Sequence, residues 1–84
     1  MQDPCLISAK DAMTMLDLHM VAKDDALYDA LQAVVDAKEP ARPLLLDMAL
    51  TRLEFQEAVA PDGPRRTGIR EAIAYVKHAL EMVQ

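Results

Sequence analysis

The chain has 84 residues, a single cysteine and a formal net charge of −5 at pH 7. This length suits one domain, which we expect to span residues 1–84, and a lone cysteine excludes a disulfide within the chain. Nucleic-acid binding needs clustered basic side chains, but the only cluster surrounds Arg65 and Arg66, with Asp62 and Glu71 nearby. We therefore expect no direct contact with nucleic acid.

The composition indicates an all-α fold. Alanine, leucine and methionine favour helices, whereas this chain has only three aromatic residues and two glycines. No apolar run approaches the roughly 18–20 residues that a membrane span requires. The first residues also lack the basic start and apolar stretch of a signal peptide. We predict a cytoplasmic protein with no membrane contact.

The first helical region follows a short tail, residues 1–7, that contains Cys5. Ser8 is a candidate N-cap for the helix that begins after it. Apolar residues then recur at three- and four-residue steps, at Ala9, Ala12, Met13, Leu16, Met20 and Val21. The polar run 23–25 interrupts this pattern, so either the helix breaks there or one long helix spans residues 9–37.

The second half contains two further helices. Pro40 and Pro43 end the first region, and the next helix is predicted over residues 43–60. It is apolar on two sides, one side carrying Leu46, Ala49, Leu50 and Leu53, and the other Leu45, Met48, Phe55 and Val59 around Arg52. A helix that is apolar on more than one side is buried on more than one side, in its own core or against a partner.

The last helix is predicted over residues 68–83, after a loop at residues 61–64. Thr67 is its candidate cap. Its apolar positions form one regular stripe, at Ile69, Ala72, Ile73, Val76, Leu80 and Val83, which places His78 on the solvated side. The fold class is therefore an all-α, small antiparallel bundle of three long helices, or four if the first region breaks near residues 23–25.

Catalytic patterns are missing from the sequence. Neither a nucleophile elbow nor a glycine-rich phosphate loop is present, and the histidines lack the partners of a metal site. We therefore expect a protein that is not an enzyme and that has no metal or cofactor. A minor enzyme or carrier that uses His19 or Cys5 is an alternative of a different class.

The surplus of apolar residues points instead to binding. Met15 and Leu18 lie off the first stripe, and Leu45, Met48 and Phe55 lie on the second side of the third helix. The excess negative charge lies in residues 1–36, where seven aspartates outnumber two lysines. The acidic members of the predicted interaction surface are Asp17, Asp24, Asp25 and Asp29.

We interpret the chain as a small acidic protein–protein interaction module, an adaptor, chaperone-like or regulatory factor. We expect it to self-associate as a homodimer, and a partner with a basic surface would complement its acidic half. The alternative within binding proteins is an inhibitor of a nucleic-acid-handling complex, such as a phage-encoded anti-defence protein.

Overall fold

The computed structural model describes residues 4–19 and 26–83 of the chain. Within these residues the chain forms four α-helices and no strand. The helices are α1 (Pro4–Leu18), α2 (Ala26–Asp36), α3 (Arg42–Val59) and α4 (Pro64–Val83). The predicted all-α bundle is confirmed in its four-helix form. A single helix over residues 9–37 is wrong, because α1 ends at Leu18 and α2 begins at Ala26; residues 23–25 lie outside the described residues.

The four helices form a ring in which each packs against two neighbours. Helices α1 and α3 both contact α2 and α4, and among the described residues they do not contact each other. Gly68, early in α4, lies against His19 at the end of α1. Arg70, also early in α4, pairs with Glu57 near the end of α3. Helix α4 therefore runs antiparallel to both of its neighbours.

One hydrophobic core joins all four helices. Its largest side chains with less than 2% exposure are Leu16, Leu31, Leu46, Leu53, Ile69, Val34, Val76 and Cys5. The predicted α4 stripe is confirmed, with Ile73 and Val83 at its half-buried edge and His78 exposed. None of the described helices has the length and apolar character needed to cross a membrane.

The N-terminal tail predicted over residues 1–7 is wrong. Helix α1 begins at Pro4, and Cys5 is only 1% exposed within the core. Proline suits the first turn of a helix, and Cys5 extends the stripe of Ala9 and Ala12 by one more turn. Ser8, predicted as the cap, lies inside α1 and is 5% exposed. The prediction took Cys5 for an inert residue of a frayed terminus, whereas it packs in the core as a small apolar side chain.

Proline also sets the boundaries of the last two helices. Pro43 occupies the first turn of α3, and Pro61 follows Ala60, whose extended backbone ends that helix. Helix α4 begins at Pro64, four residues before its predicted start. Thr67 therefore lies within its first turn, where its hydroxyl donates to the Gly63 carbonyl oxygen at 3.2 Å.

Candidate interaction surface

Helix α3 buries only one of its two apolar sides. Leu46, Ala49 and Leu53 lie in the core, as the spacing predicts. On the opposite side four large apolar side chains remain exposed, and we call them the α3 ridge: Leu44 (66% exposed), Met48 (46%), Phe55 (64%) and Val59 (60%). Because these residues follow one another at helical spacing, they form a continuous apolar surface along α3.

A groove between α2 and α3 borders this ridge. One part of it, of about 570 Å³, is lined by Ala26, Leu27, Thr51, Arg52, Phe55, Gln56 and Arg65. The adjoining part, of about 290 Å³, is lined by Ala26, Asp29, Ala30, Ala33, Leu45, Met48, Ala49 and Arg52. On its α2 side this α2–α3 groove is lined mainly by small side chains, since three of the five α2 residues that line it are alanines.

Four of the predicted interaction residues meet at this groove. Met48 and Phe55 belong to both the ridge and the groove wall, and Leu45 is half-buried at its floor. Asp29 is exposed on the α2 side of the same groove. The prediction of a second apolar side on the third helix thus identified residues that share one surface.

The predicted residues on α1 lie elsewhere. Leu18 is 66% exposed, Asp17 is exposed and Met15 is half-buried, all on a helix that packs against α2 and α4 and not against α3. They do not join the α2–α3 groove in one surface. The remaining two predicted residues, Asp24 and Asp25, lie outside the described residues.

The sequence prediction missed part of this surface. Leu44 was not assigned to the second side of α3, although its four-residue spacing to Met48 was the available signal. The alanines of α2 and Arg65 were also missed. No sequence signal marks them, since a groove depends on the distance between two helices.

Three arginines away from the groove, Arg66 and Arg70 on α4 and Arg42 at the start of α3, have partners within the molecule. Glu57 lies 3.3 Å from Nη2 of Arg70 and 3.8 Å from Nε of Arg66, which also contacts Asp62 at 2.7 Å. Arg42, 8% exposed, donates from Nη2 to the Ala37 carbonyl oxygen at 3.0 Å and so links the end of α2 to α3. Much of the basic charge near the 61–64 loop is therefore matched by carboxylates.

The side chains that could take part in catalysis, the thiol of Cys5 and the imidazole of His19, lie far apart. Cys5 and His19 are separated by 14 residues, or about 21 Å along one helix. His19 Nε2 lies 3.1 Å from Oε2 of Glu71. The described residues contain no cluster of three metal-ligating side chains. No protein-family model, curated protein or solved structure matches the chain.

Proposed function

We propose that this protein is a small interaction module that self-associates through the α3 ridge. The observation that carries the proposal is the exposure of Leu44, Met48, Phe55 and Val59, 46–66% each, on one side of one helix. Single exposed apolar residues are normal on any protein surface. A contiguous apolar patch beside a groove is characteristic of an interface.

The ridge is long enough to bind another helix. From Leu44 to Val59 it spans 15 residues, which is about 22 Å along the helix axis. Phe55 is the largest side chain on it, and aromatic anchors at the centre of an interface contribute much of the binding free energy. The groove beside Phe55 offers space for side chains from the bound surface.

The distribution of charge supports a second copy as the partner. Residues 1–36 carry seven acids and two bases, giving −5, whereas residues 37–84 carry seven acids and seven bases, giving zero. Two copies that meet through α3 bring their neutral halves together, with Asp29 of α2 at the border of the contact and the acidic residues of α1 away from it. Their net charges of −5 then oppose association only weakly at physiological ionic strength.

Binding, not catalysis, is the role that these residues support. Cys5, at 1% exposure, is shielded from a substrate, and the distance along α1 prevents His19 from activating it. We propose accordingly that the protein is not an enzyme.

The test is the solution mass of the purified chain, measured by light scattering across a hundredfold concentration range. We expect the mass to rise from 9.3 kDa toward twice that value. Phe55→Ser should hold the protein at the monomer mass while the circular dichroism signal stays helical. The matched control is Leu18→Ser, because Leu18 is equally exposed (66% against 64%) but lies on α1.

Two results would contradict this proposal. A wild-type chain that stays monomeric at every concentration would leave the ridge for a different protein or for none. A dimer that dissociates with Leu18→Ser and not with Phe55→Ser would place the interface on α1.

A further inference from the structure

We propose that two copies pack their α3 helices in parallel, with Asp47 of each copy facing Arg52 of the other. This inference rests on the proposed self-association through the α3 ridge and adds the direction and register of the contact. It follows from the spacing of the exposed apolar residues, from the charges that flank them, and from the lack of ion pairs to those charges among the described residues.

The exposed side of α3 has the spacing of a coiled-coil seam. Leu44, Met48, Thr51, Phe55 and Ala58 alternate at steps of four and three residues, and all five are exposed. Two helices with this repeat bury it by packing each residue between four residues of the partner. The buried side of α3 is committed to the core, so the seam is available only to a second molecule.

Charged residues flank the seam on both sides. Asp47 directly precedes Met48 and lies on one flank, whereas Arg52 directly follows Thr51 and lies on the other. These are the positions whose charge pairs determine orientation in coiled coils. In a parallel pair, a residue on the Asp47 flank of one helix lies beside the residue five positions further along, on the Arg52 flank of its partner. Asp47 and Arg52 have that separation, and the two-fold symmetry forms the pair twice.

The opposite orientation brings like charges together. In the antiparallel arrangement that overlaps the whole seam, each flank meets the same flank of the partner. Arg52 then lies beside Arg52 of the second copy, and Asp47 approaches Glu54 of the second copy. Like charges at such positions destabilise a helix pair, so the charge pattern favours the parallel orientation.

Asp47 and Arg52 form no ion pair with any of the described residues. Glu54 likewise forms none within the described residues, whereas Glu57 on the same helix pairs with two arginines. Their helical neighbours offer no partner, because Arg52 has Met48 and Gln56 at four-residue spacing and Asp47 has Thr51. Across the groove, Asp29 of α2 forms no ion pair with Arg52, so among the described residues both charges are open to a partner from another molecule.

The α2–α3 groove leaves room for this pair. Arg52 lines both parts of the groove, and the facing side of α2 presents three alanines together with the exposed Asp29 and the buried Leu27. The partner's α3 flank therefore approaches Arg52 without a large α2 side chain in the way. A contact confined to one helix from each copy lies at the small end of specific interfaces, so we expect a concentration-dependent equilibrium.

The experiment is a set of charge reversals measured by sedimentation equilibrium. Asp47→Arg and Arg52→Asp should each weaken dimerisation about tenfold, as expected for two symmetric, partly exposed pairs. The double variant restores both pairs with reversed sign and should return to within about threefold of the wild type. Glu54→Arg is the matched control, since it makes the same charge change on the same flank but faces Val59 of the partner.

An engineered disulfide tests the relative orientation of the two α3 helices independently of the charge reversals. In the parallel pair Ala58 faces Ala58 of the second copy, at a separation that a disulfide can bridge. In the full antiparallel overlap the two are about 20 Å apart. Ala58→Cys should therefore form a covalent dimer under mild oxidation, while the parent chain, whose Cys5 is buried, and the exposed control Leu18→Cys should not.

The outcomes separate this inference from the proposed function. If the wild type dimerises and depends on Phe55, yet Asp47→Arg tightens the dimer or Ala58→Cys fails to cross-link, self-association stands and the parallel register is overturned. If the wild type is monomeric throughout, both proposals fail. Weakening by Asp47→Arg, rescue by the double variant and cross-linking at residue 58 together support the parallel pair.

Discussion

The α1–α4 side of the bundle and the α2–α3 side differ in how closely their helices lie. Between α1 and α4 the backbones approach so closely that a Cβ atom on Gly68 would lie 2.7 Å from Cβ of His19. Between α2 and α3 a groove of several hundred cubic ångströms remains. Both sides are rich in alanine, so composition alone does not explain the difference.

The two sides differ in whether their small residues lie inside the contact between the helices or at its edge. On α4, Gly68 and Ala72 lie one turn apart and are both buried, so they draw the helix against α1. On α2, Ala26 and Ala33 are exposed beside α3, and none of the described residues fills the space above them. Small residues close an interface when they lie on its contact line, and they open a groove when they lie at its edge.

Enlarging one alanine on each side gives the largest expected effect. Ala72→Leu forces extra volume into a closed contact and should destabilise the fold by about 1–3 kcal/mol. Ala33→Leu adds volume to an open groove and should change stability by less than about 0.5 kcal/mol. Urea unfolding followed by circular dichroism, at low protein concentration, measures both. Equal losses at the two positions would show that the groove is not open.

A smaller effect is expected from Gly68→Ala. The new Cβ must displace the backbone at His19, which should cost more than the roughly 1 kcal/mol that alanine contributes over glycine in a helix. We expect a net loss of about 1 kcal/mol, or a melting temperature lower by about 4–8 °C. The double variant His19→Gly, Gly68→Ala removes the opposing Cβ and should show a favourable coupling. A stabilising Gly68→Ala would mean that the two helices are not in close contact there.

The smallest effect belongs to the boundary between the two sides, where Glu57 joins α3 to α4. Glu57→Gln removes the contacts with Arg66 and Arg70 and should cost about 0.2–1 kcal/mol, less at high salt, because these pairs are partly exposed. Glu54 on the same helix forms no such pair within the described residues. Glu54→Gln should therefore leave the stability of the dilute monomer unchanged. Thermal unfolding at low and high salt compares them. A salt-independent loss would indicate a packing effect.

Much of the architecture was predictable because periodicity and proline act locally. The stripe from Ile69 to Val83 predicts one buried face wherever that helix packs, and Pro43 and Pro61 bracket α3 whatever surrounds them. The start of α1 was not predictable in the same way. Whether Cys5 is an apolar residue or a reactive one depends on what packs against it, and that partner is distant in the sequence.

The candidate surface was also predictable only in part. That the third helix carries more apolar surface than one side can bury is visible in the spacing of Leu45, Met48 and Phe55. Which side the core takes, and that Leu44 joins the exposed one, depends on where α2 and α4 lie. In the sequence Leu18 and Phe55 are equivalent as surplus apolar residues, but the ring of helices places them on α1 and α3, which do not touch.

The sequence by itself determined four properties: an all-α fold, the inward face of the last helix, the proline boundaries of the third helix, and an excess of negative charge in the first half. These depend on the geometry of one helix and on residue counts. Only the tertiary structure decided which helices are neighbours, that α1 and α4 lie in close contact, and that α2 and α3 leave a groove beside an exposed ridge. Distances between helices depend on side chains from both at once, which no local pattern specifies.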